Sequence, residues 1–326
     1  MRDTVIKIIT EAARHDPDIM FLSADFGAPA LDEFRQDLPN QFIQTGISEQ
    51  HMIDLAAGLA LSGKKVYCYA MAPFMPARCF EQIKCSLASM NLPVTLIGVG
   101  VGLGYDHSSM THIQVEDIAC MRTINHLEIL TPADNVMAAA ITHLTIEKPA
   151  FRYLRLERRP DEQSYPRIYN EEEATKALKL GFGSVILRGK SFDDPFAIIF
   201  TSGGLVGTAI DAASQLSLEH GQTIQVIDVV RIKPFSTNNL VILTNFHNPI
   251  PTITVEEHTI AGGLGATLCE AVADRSSDNI PPLFWPIYRL GLHDGFELVN
   301  GDREQLRKHF CISKDDIVSA VKWWKK

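Results

Sequence analysis

Gly46-Ile-Ser-Glu49-Gln50 sets a carboxylate between an extended stretch, Gln41–Thr45, and a helix expected over Gly46–Ser62. A carboxylate in the first turn of a helix is held by free backbone amides and by the macrodipole, so the position has an ordinary structural use as well as a chemical one. A second stretch, Gly100-Val-Gly-Leu-Gly104, follows the apolar segment Val94–Val99 and leads into Asp106, His107, Thr111 and His112. Such a glycine run is weak evidence for a dinucleotide site, and here it opens no helix, which that site needs. Six cysteines (68, 79, 85, 120, 269 and 311) are scattered without a CxxC pair or a compact His/Cys cluster. They imply neither a disulfide framework nor structural zinc, and no metal-ligating set is expected in this chain.

The elements that must position these residues alternate. A helix is expected over residues 4–14, a strand at Ile19–Ser23, and a long helix with Met52, Leu55, Ala56 and Leu59 at helical spacing, ended by Gly63. Next come a strand at Val66–Tyr69, a helix around Phe80–Met90 and the strand Val94–Val99. Strands apolar on both faces, alternating with helices, predict parallel sheets covered by helices. The polar stretch 157–173 carries two prolines and no period. It divides the chain into a first domain over 1–160, a linker over 161–180 and a second α/β domain over 181–326. The second domain should contain strands at Pro195–Thr201, Thr223–Val230 and Thr252–Val255, and a helix over Leu205–Leu218.

Composition narrows the function. At 326 residues, two cores are expected. With 46% hydrophobic and 21% charged residues, no apolar run spanning a bilayer and no basic leader, the chain reads as a soluble cytoplasmic protein without a membrane partner. A net charge of -9 argues against a nucleic-acid partner, so any anionic ligand must be met locally.

Gly46-Ile-Ser-Glu49-Gln-His resembles the strand-to-helix motif in the pyrimidine-binding domain of transketolases and 1-deoxyxylulose-5-phosphate synthases, and the resemblance runs over nearly the whole chain. It implies two doubly wound α/β domains with mainly parallel sheets, a pyrimidine-binding domain followed by the transketolase C-terminal domain, and thiamine diphosphate as cofactor. Glu49 takes the place of the glutamate that bonds a ring nitrogen of the aminopyrimidine. That bond favours the imino form of the cofactor's amino group, the internal base that activates the thiazolium carbon.

Tyr69-Ala-Met-Ala-Pro-Phe74-Met-Pro-Ala-Arg78-Cys-Phe80-Glu-Gln82 is similar to the family segment in which an aromatic stacks on the pyrimidine and an arginine follows. The resemblance assigns Phe74 and Arg78 to the cofactor, although they stand one residue further apart than in the synthases. Gly100 to Arg122 resembles the glycine-rich loop whose Asp and Thr-His face sugar hydroxyls. It therefore assigns Asp106 and His112 to the substrate, with His112 binding a hydroxyl or relaying a proton. Two extra residues separate Asp106 from His112, so His107 competes with Asp106 and the sugar pocket should differ.

Pro149-Ala-Phe-Arg152-Tyr-Leu-Arg155 resembles the closing strand, whose second arginine, here Arg155, grips the substrate phosphate. Asp25, in Ser-Ala-Asp-Phe-Gly, resembles the early acidic residue near the cofactor rings. Val255-Glu-Glu-His-Thr-Ile-Ala-Gly-Gly-Leu-Gly265 resembles the C-terminal domain, and His258 receives no role.

The family's Gly-Asp-Gly motif with its downstream Asn, which holds magnesium on the diphosphate, does not occur in this chain. The resemblance then implies a separate diphosphate-binding subunit that carries the magnesium, and an α2β2 heterotetramer with self-association. The expected reaction is transfer of a two-carbon ketol unit from a ketose to an aldose, acting on sugars or sugar phosphates. Alternatives are another thiamine enzyme half, deoxyxylulose-phosphate-synthase-like or a 2-oxo-acid dehydrogenase beta chain, or a non-catalytic regulatory module of the same fold.

Overall fold

A computed structural model describes residues 1–24, 28–158, 166–187, 195–235, 250–274, 285–295 and 299–324. Helix α1 (Arg2–His15) buries Val5, Ile6, Ile9 and Ala13, one stripe at helical spacing. Then follow β1 (Ile19–Ala24), α2 (Asp32–Asp37), β2 (Phe42–Gly46), α3 (Glu49–Leu61) and β3 (Lys65–Met71). Helix α4 (Phe80–Gln82) continues as a π-helical turn, Ile83–Leu87, before β4 (Val94–Val99), α5 (Asp117–Arg122), β5 (Glu128–Leu130), α6 (Asn135–Glu147) and β6 (Arg152–Leu156). These strands form a parallel sheet in the order β5-β6-β4-β3-β1-β2. β1, β4 and β6 are buried along their whole length, as a sheet covered on both faces requires.

The segment expected as a linker is more than a spacer. Helix α7 (Glu171–Leu180) begins with a reciprocal capping box between Asn170 and Glu173 and ends at Gly181 in the left-handed region. Its Ala174, Ala177 and Leu178 pack into the same core as Met137, Ala138 and Ile141 of α6. The buried Asp134 carboxylate also accepts the Ile168 and Tyr169 amides at 2.7 and 2.8 Å. Three consecutive glutamates mask this helix in a reading by apolar period, yet they suit its positive N-terminal end.

The second sheet is built from β7 (Gly183–Leu187), β8 (Ala197–Thr201), α8 (Leu205–His220), β9 (Ile224–Asp228), β10 (Arg231–Lys233), β11 (Thr252–Thr259), α9 (Leu264–Asp274), β12 (Ile287–Leu292), α10 (Arg303–His309) and α11 (Lys314–Trp324). Its order is β12-β11-β8-β9-β7, parallel except for β7. Strand β10 leaves this domain and pairs antiparallel with β5 of the first sheet. The Lys233 ammonium also donates to the Arg122 carbonyl at 2.9 Å. Among the described residues no helix is long and apolar enough to cross a membrane.

Candidate active site

The carboxyl ends of the parallel strands β2, β3, β4 and β6 open on one edge of the first sheet, where ligands of such sheets collect. After β2 the chain turns at Gly46, whose φ of 74° is open to glycine at no steric cost, and Glu49 begins α3. Glu49 is 5% exposed, a buried carboxylate at the positive end of a helix. Its Oε2 accepts a bond from Arg78 Nη1 at 2.9 Å. The same guanidinium lies over the Phe74 ring, 4.3 Å from its centroid. Phe74 in turn meets His112 edge-on, with centroids 5.4 Å apart, so three stretches far apart in the chain converge.

The glycine-rich loop after β4 is closed by an antiparallel bridge between Gly102 and Gln114. Within it Asp106–Thr111 form a 3-10 helical segment interrupted at Ser109, where φ is 55°. His112 Nδ1 lies 2.8 Å from Thr111 Oγ1, and that hydroxyl already gives its one proton to the Ser108 carbonyl at 3.1 Å. The hydroxyl is therefore placed to accept from Nδ1–H, which leaves Nε2 as the ring nitrogen for a ligand.

Asp106 accepts the His107 amide at 2.9 Å, and His107 itself is exposed. Asp25 lies outside the described residues.

Tyr105 was not singled out by its type or spacing, yet it completes the group. Its ring stands 6.0 Å from that of His112 and carries the Arg158 guanidinium 4.9 Å from its own centroid. Room for the ring comes from Gly100, whose missing Cβ would fall on the Tyr105 ring and whose φ is 84°. A glycine at the start of the loop after β4 was the only sequence signal.

Arg155, expected to grip a substrate phosphate, carries a buried guanidinium on β6. Its Nε donates to Asp117 Oδ2 at 2.7 Å, a carboxylate that also accepts the Tyr153 hydroxyl at 3.0 Å. Arg155 and Asp117 are 6% and 0% exposed, and among the described residues Arg155 Nη2 has no hydrogen-bond partner.

This pair adjoins an enclosed polar cluster between the domains. Glu257 accepts Arg307 Nε at 2.6 Å, Arg303 Nη2 at 2.6 Å and the Leu103 amide at 3.0 Å. Burial opposes its charge, but the two arginines outweigh it and hold the carboxyl well below its usual range. His258 Nδ1 donates to the Thr259 carbonyl at 2.6 Å while Nε2 accepts the Ala119 amide at 3.3 Å, which makes it a neutral imidazole. Burial pushes its pKa down to about 4. Glu256 accepts the Leu264 and Gly265 amides at the start of α9, and burial raises it to about 7. Residues 101–122, which carry Tyr105 and His112, are thereby fastened to the second domain, and His258 gains a positioning use.

Residues 1–160 match the family described as "Transketolase, pyrimidine binding domain", and residues 193–317 match "Transketolase, C-terminal domain". The chain is 31% identical, over 98% of its length and 96% of the relative, to one subunit of the apulose-4-phosphate transketolase of Phocaeicola vulgatus. It is 29% identical to the 6-deoxy-6-sulfo-D-fructose transketolase subunit SqwH of a Clostridium species, over 98% of this chain and 93% of the relative. A solved split gene transketolase, an inactive beta4 tetramer, superposes with a TM-score of 0.78 at 27% identity, over 99% of this chain and 96% of that one. To the 1-deoxy-D-xylulose-5-phosphate synthase of Caldanaerobacter subterraneus it is 28% identical, but it spans only 48% of that protein.

Proposed function

The chain belongs to the transketolase family, and from that premise we propose that it is the pyrimidine-binding subunit of a two-chain transketolase, moving a two-carbon ketol unit from a ketose to an aldose. The observation that carries this reading is the convergence of the buried Glu49 carboxylate, the Phe74 ring and a His112 held at Nδ1 by Thr111. The donor set suits the pyrimidine end of thiamine diphosphate: a desolvated carboxyl to share a proton with a ring nitrogen, and an aromatic for a flat heterocycle. When bound, the cofactor supplies an electron sink for cleaving the bond beside a carbonyl. Glu49 holds the proton on the ring nitrogen, and Arg78 orients the carboxyl through its 2.9 Å bond. His112 accepts a substrate hydroxyl proton at Nε2 because Thr111 holds the other nitrogen protonated.

The diphosphate and its magnesium belong to a partner chain in this reading. Near-complete coverage of the two transketolase subunits, against about half of the synthase, supports a two-chain enzyme, as does an inactive tetramer of beta chains alone. The test is Glu49→Gln in the complex reconstituted with the diphosphate-binding chain. Gln keeps the shape but shares no proton, so ketose cleavage should fall at least about a hundredfold while the complex assembles as before. Undiminished turnover would refute the role.

A further inference from the structure

We infer that the second domain seats His112, and that Glu257 is the positioning residue through which it does so. The inference rests on the ketol-transfer reading above and adds a group remote from the ligand that sets the geometry of the proton acceptor. The loop that carries Tyr105 and His112 narrows to a neck, where Gly102 and Gln114 exchange both backbone bonds at 2.8 and 3.1 Å. The residue after each is gripped from β11. Leu103 gives its amide to Glu257 Oε2 at 3.0 Å, and the Val115 carbonyl accepts the Thr259 amide at 2.8 Å.

Packing agrees with these bonds. Leu103 is buried in the core of the second domain with Ile199, Leu205 and Val255, and Ile113 and Val115 lie against the same core. His112 therefore adjoins a residue that the second domain holds, although its own ring meets Phe74 and Tyr105 of the first. Glu257 is itself fixed at both oxygens, since Arg307 Nε donates to Oε1 at 2.6 Å and Arg303 Nη2 to Oε2 at 2.6 Å. Gly102 is what admits the carboxylate, because a Cβ there would fall 2.5 Å from Oε2. The two arginines hold the carboxyl well below its usual range, so it stays charged and serves as a fixed acceptor rather than as an acid or base. A carboxylate makes a strong bond to a backbone amide, and a shift of about 1 Å at a reacting group can cost about a hundredfold in rate.

Two substitutions separate reach from charge. Glu257→Asp keeps the charge between the arginines but is one methylene short of the Leu103 amide, whereas Glu257→Gln keeps an oxygen at full reach and loses the charge. Steady-state kinetics of ketose cleavage by the reconstituted complex are measured for the parent, both variants, His112→Ala, and Glu257→Asp combined with His112→Ala. Glu257→Asp should lower kcat about ten- to a hundredfold. Glu257→Gln should recover most of that loss while melting at a lower temperature than the parent, because the buried Arg303 and Arg307 have lost their counter-charge. In the His112→Ala background the Asp substitution should take nothing further from kcat, since the group it positions is gone. A parent-like kcat in Glu257→Asp, a Gln variant no more active than Asp, or a full further loss in the absence of His112 overturns the inference.

If the parent complex cleaves no ketose, the ketol-transfer reading fails by itself. The positioning claim is then read on the full chain, from amide hydrogen exchange followed residue by residue. Glu257→Asp should speed exchange across residues 102–115 about tenfold or more while the amides of β8 keep their rates. Unchanged rates across 102–115, or an equal acceleration in β8, overturns it.

Discussion

Acidification should unfasten the two domains through His258, and the structure sets the size of the effect. The imidazole is buried, gives Nδ1–H to the Thr259 carbonyl and receives the Ala119 amide at Nε2. Burial is the main cause of its depressed pKa of about 4, with Arg155 opposing the proton and Asp117, 4.0 Å away, favouring it. The unfolded chain takes up that proton at its ordinary value of 6.5. The stability tied to neutral His258 is therefore complete above that value and drains away as pH falls toward the folded pKa. From neutrality to about pH 5, linkage makes the loss roughly 2 kcal/mol.

Glu256 and Asp228, raised by burial to about 7 and about 8, change stability in the opposite direction over part of this range. The quantity to measure is thus the difference between the parent chain and His258→Gln, by urea denaturation at neutral pH and at about pH 5. The variant loses two hydrogen bonds and is less stable at neutrality, but its deficit should shrink by roughly 2 kcal/mol on acidification. A deficit that stays constant or grows would refute the account of His258 as a buried neutral link.

The Tyr169 hydroxyl donates to Asp228 at 2.7 Å, and the carboxyl's raised folded pKa means stability is greatest in acid and falls as pH rises through about 8. Asp228→Asn should therefore outlast the parent by a few kcal/mol in denaturation at about pH 9, and a variant less stable there than the parent would contradict it. Gly100→Ala forces a side chain into the left-handed region and onto the Tyr105 ring, so its melting temperature should fall by an amount matching about 1–2 kcal/mol of strain or more; an unchanged melting point would show that the ring moves freely.

Much of the fold was legible in local pattern. Strands such as Val94–Val99 are apolar on both faces, and the stripe of α1 recurs at helical spacing, so parallel α/β domains followed directly. Helix α7 was not legible, because its outer face and first turn are charged and only packing on α6 reveals its inner stripe. Strand β10 escaped for a related reason. Three residues bordered by turns carry no period, and their partner β5 lies about a hundred positions earlier in the chain.

The candidate site divides along the same line. Glu49, Phe74, Arg78 and His112 were singled out from their motifs, and the fold brings the four together. That Arg155 turns inward to Asp117 while Arg158 turns outward onto Tyr105 was not readable, since both are arginines three positions apart near one strand end. The sequence by itself determined two parallel α/β units and a set of groups able to handle a heterocycle and a sugar. Only the tertiary structure decided which arginine is enclosed, because that depends on a buried carboxylate and an aromatic ring brought from elsewhere in the chain. The physical reason is burial, since a guanidinium enclosed with its carboxylate gives up that pair only at a cost of several kcal/mol, and one resting on a ring at the surface has no such pair to lose.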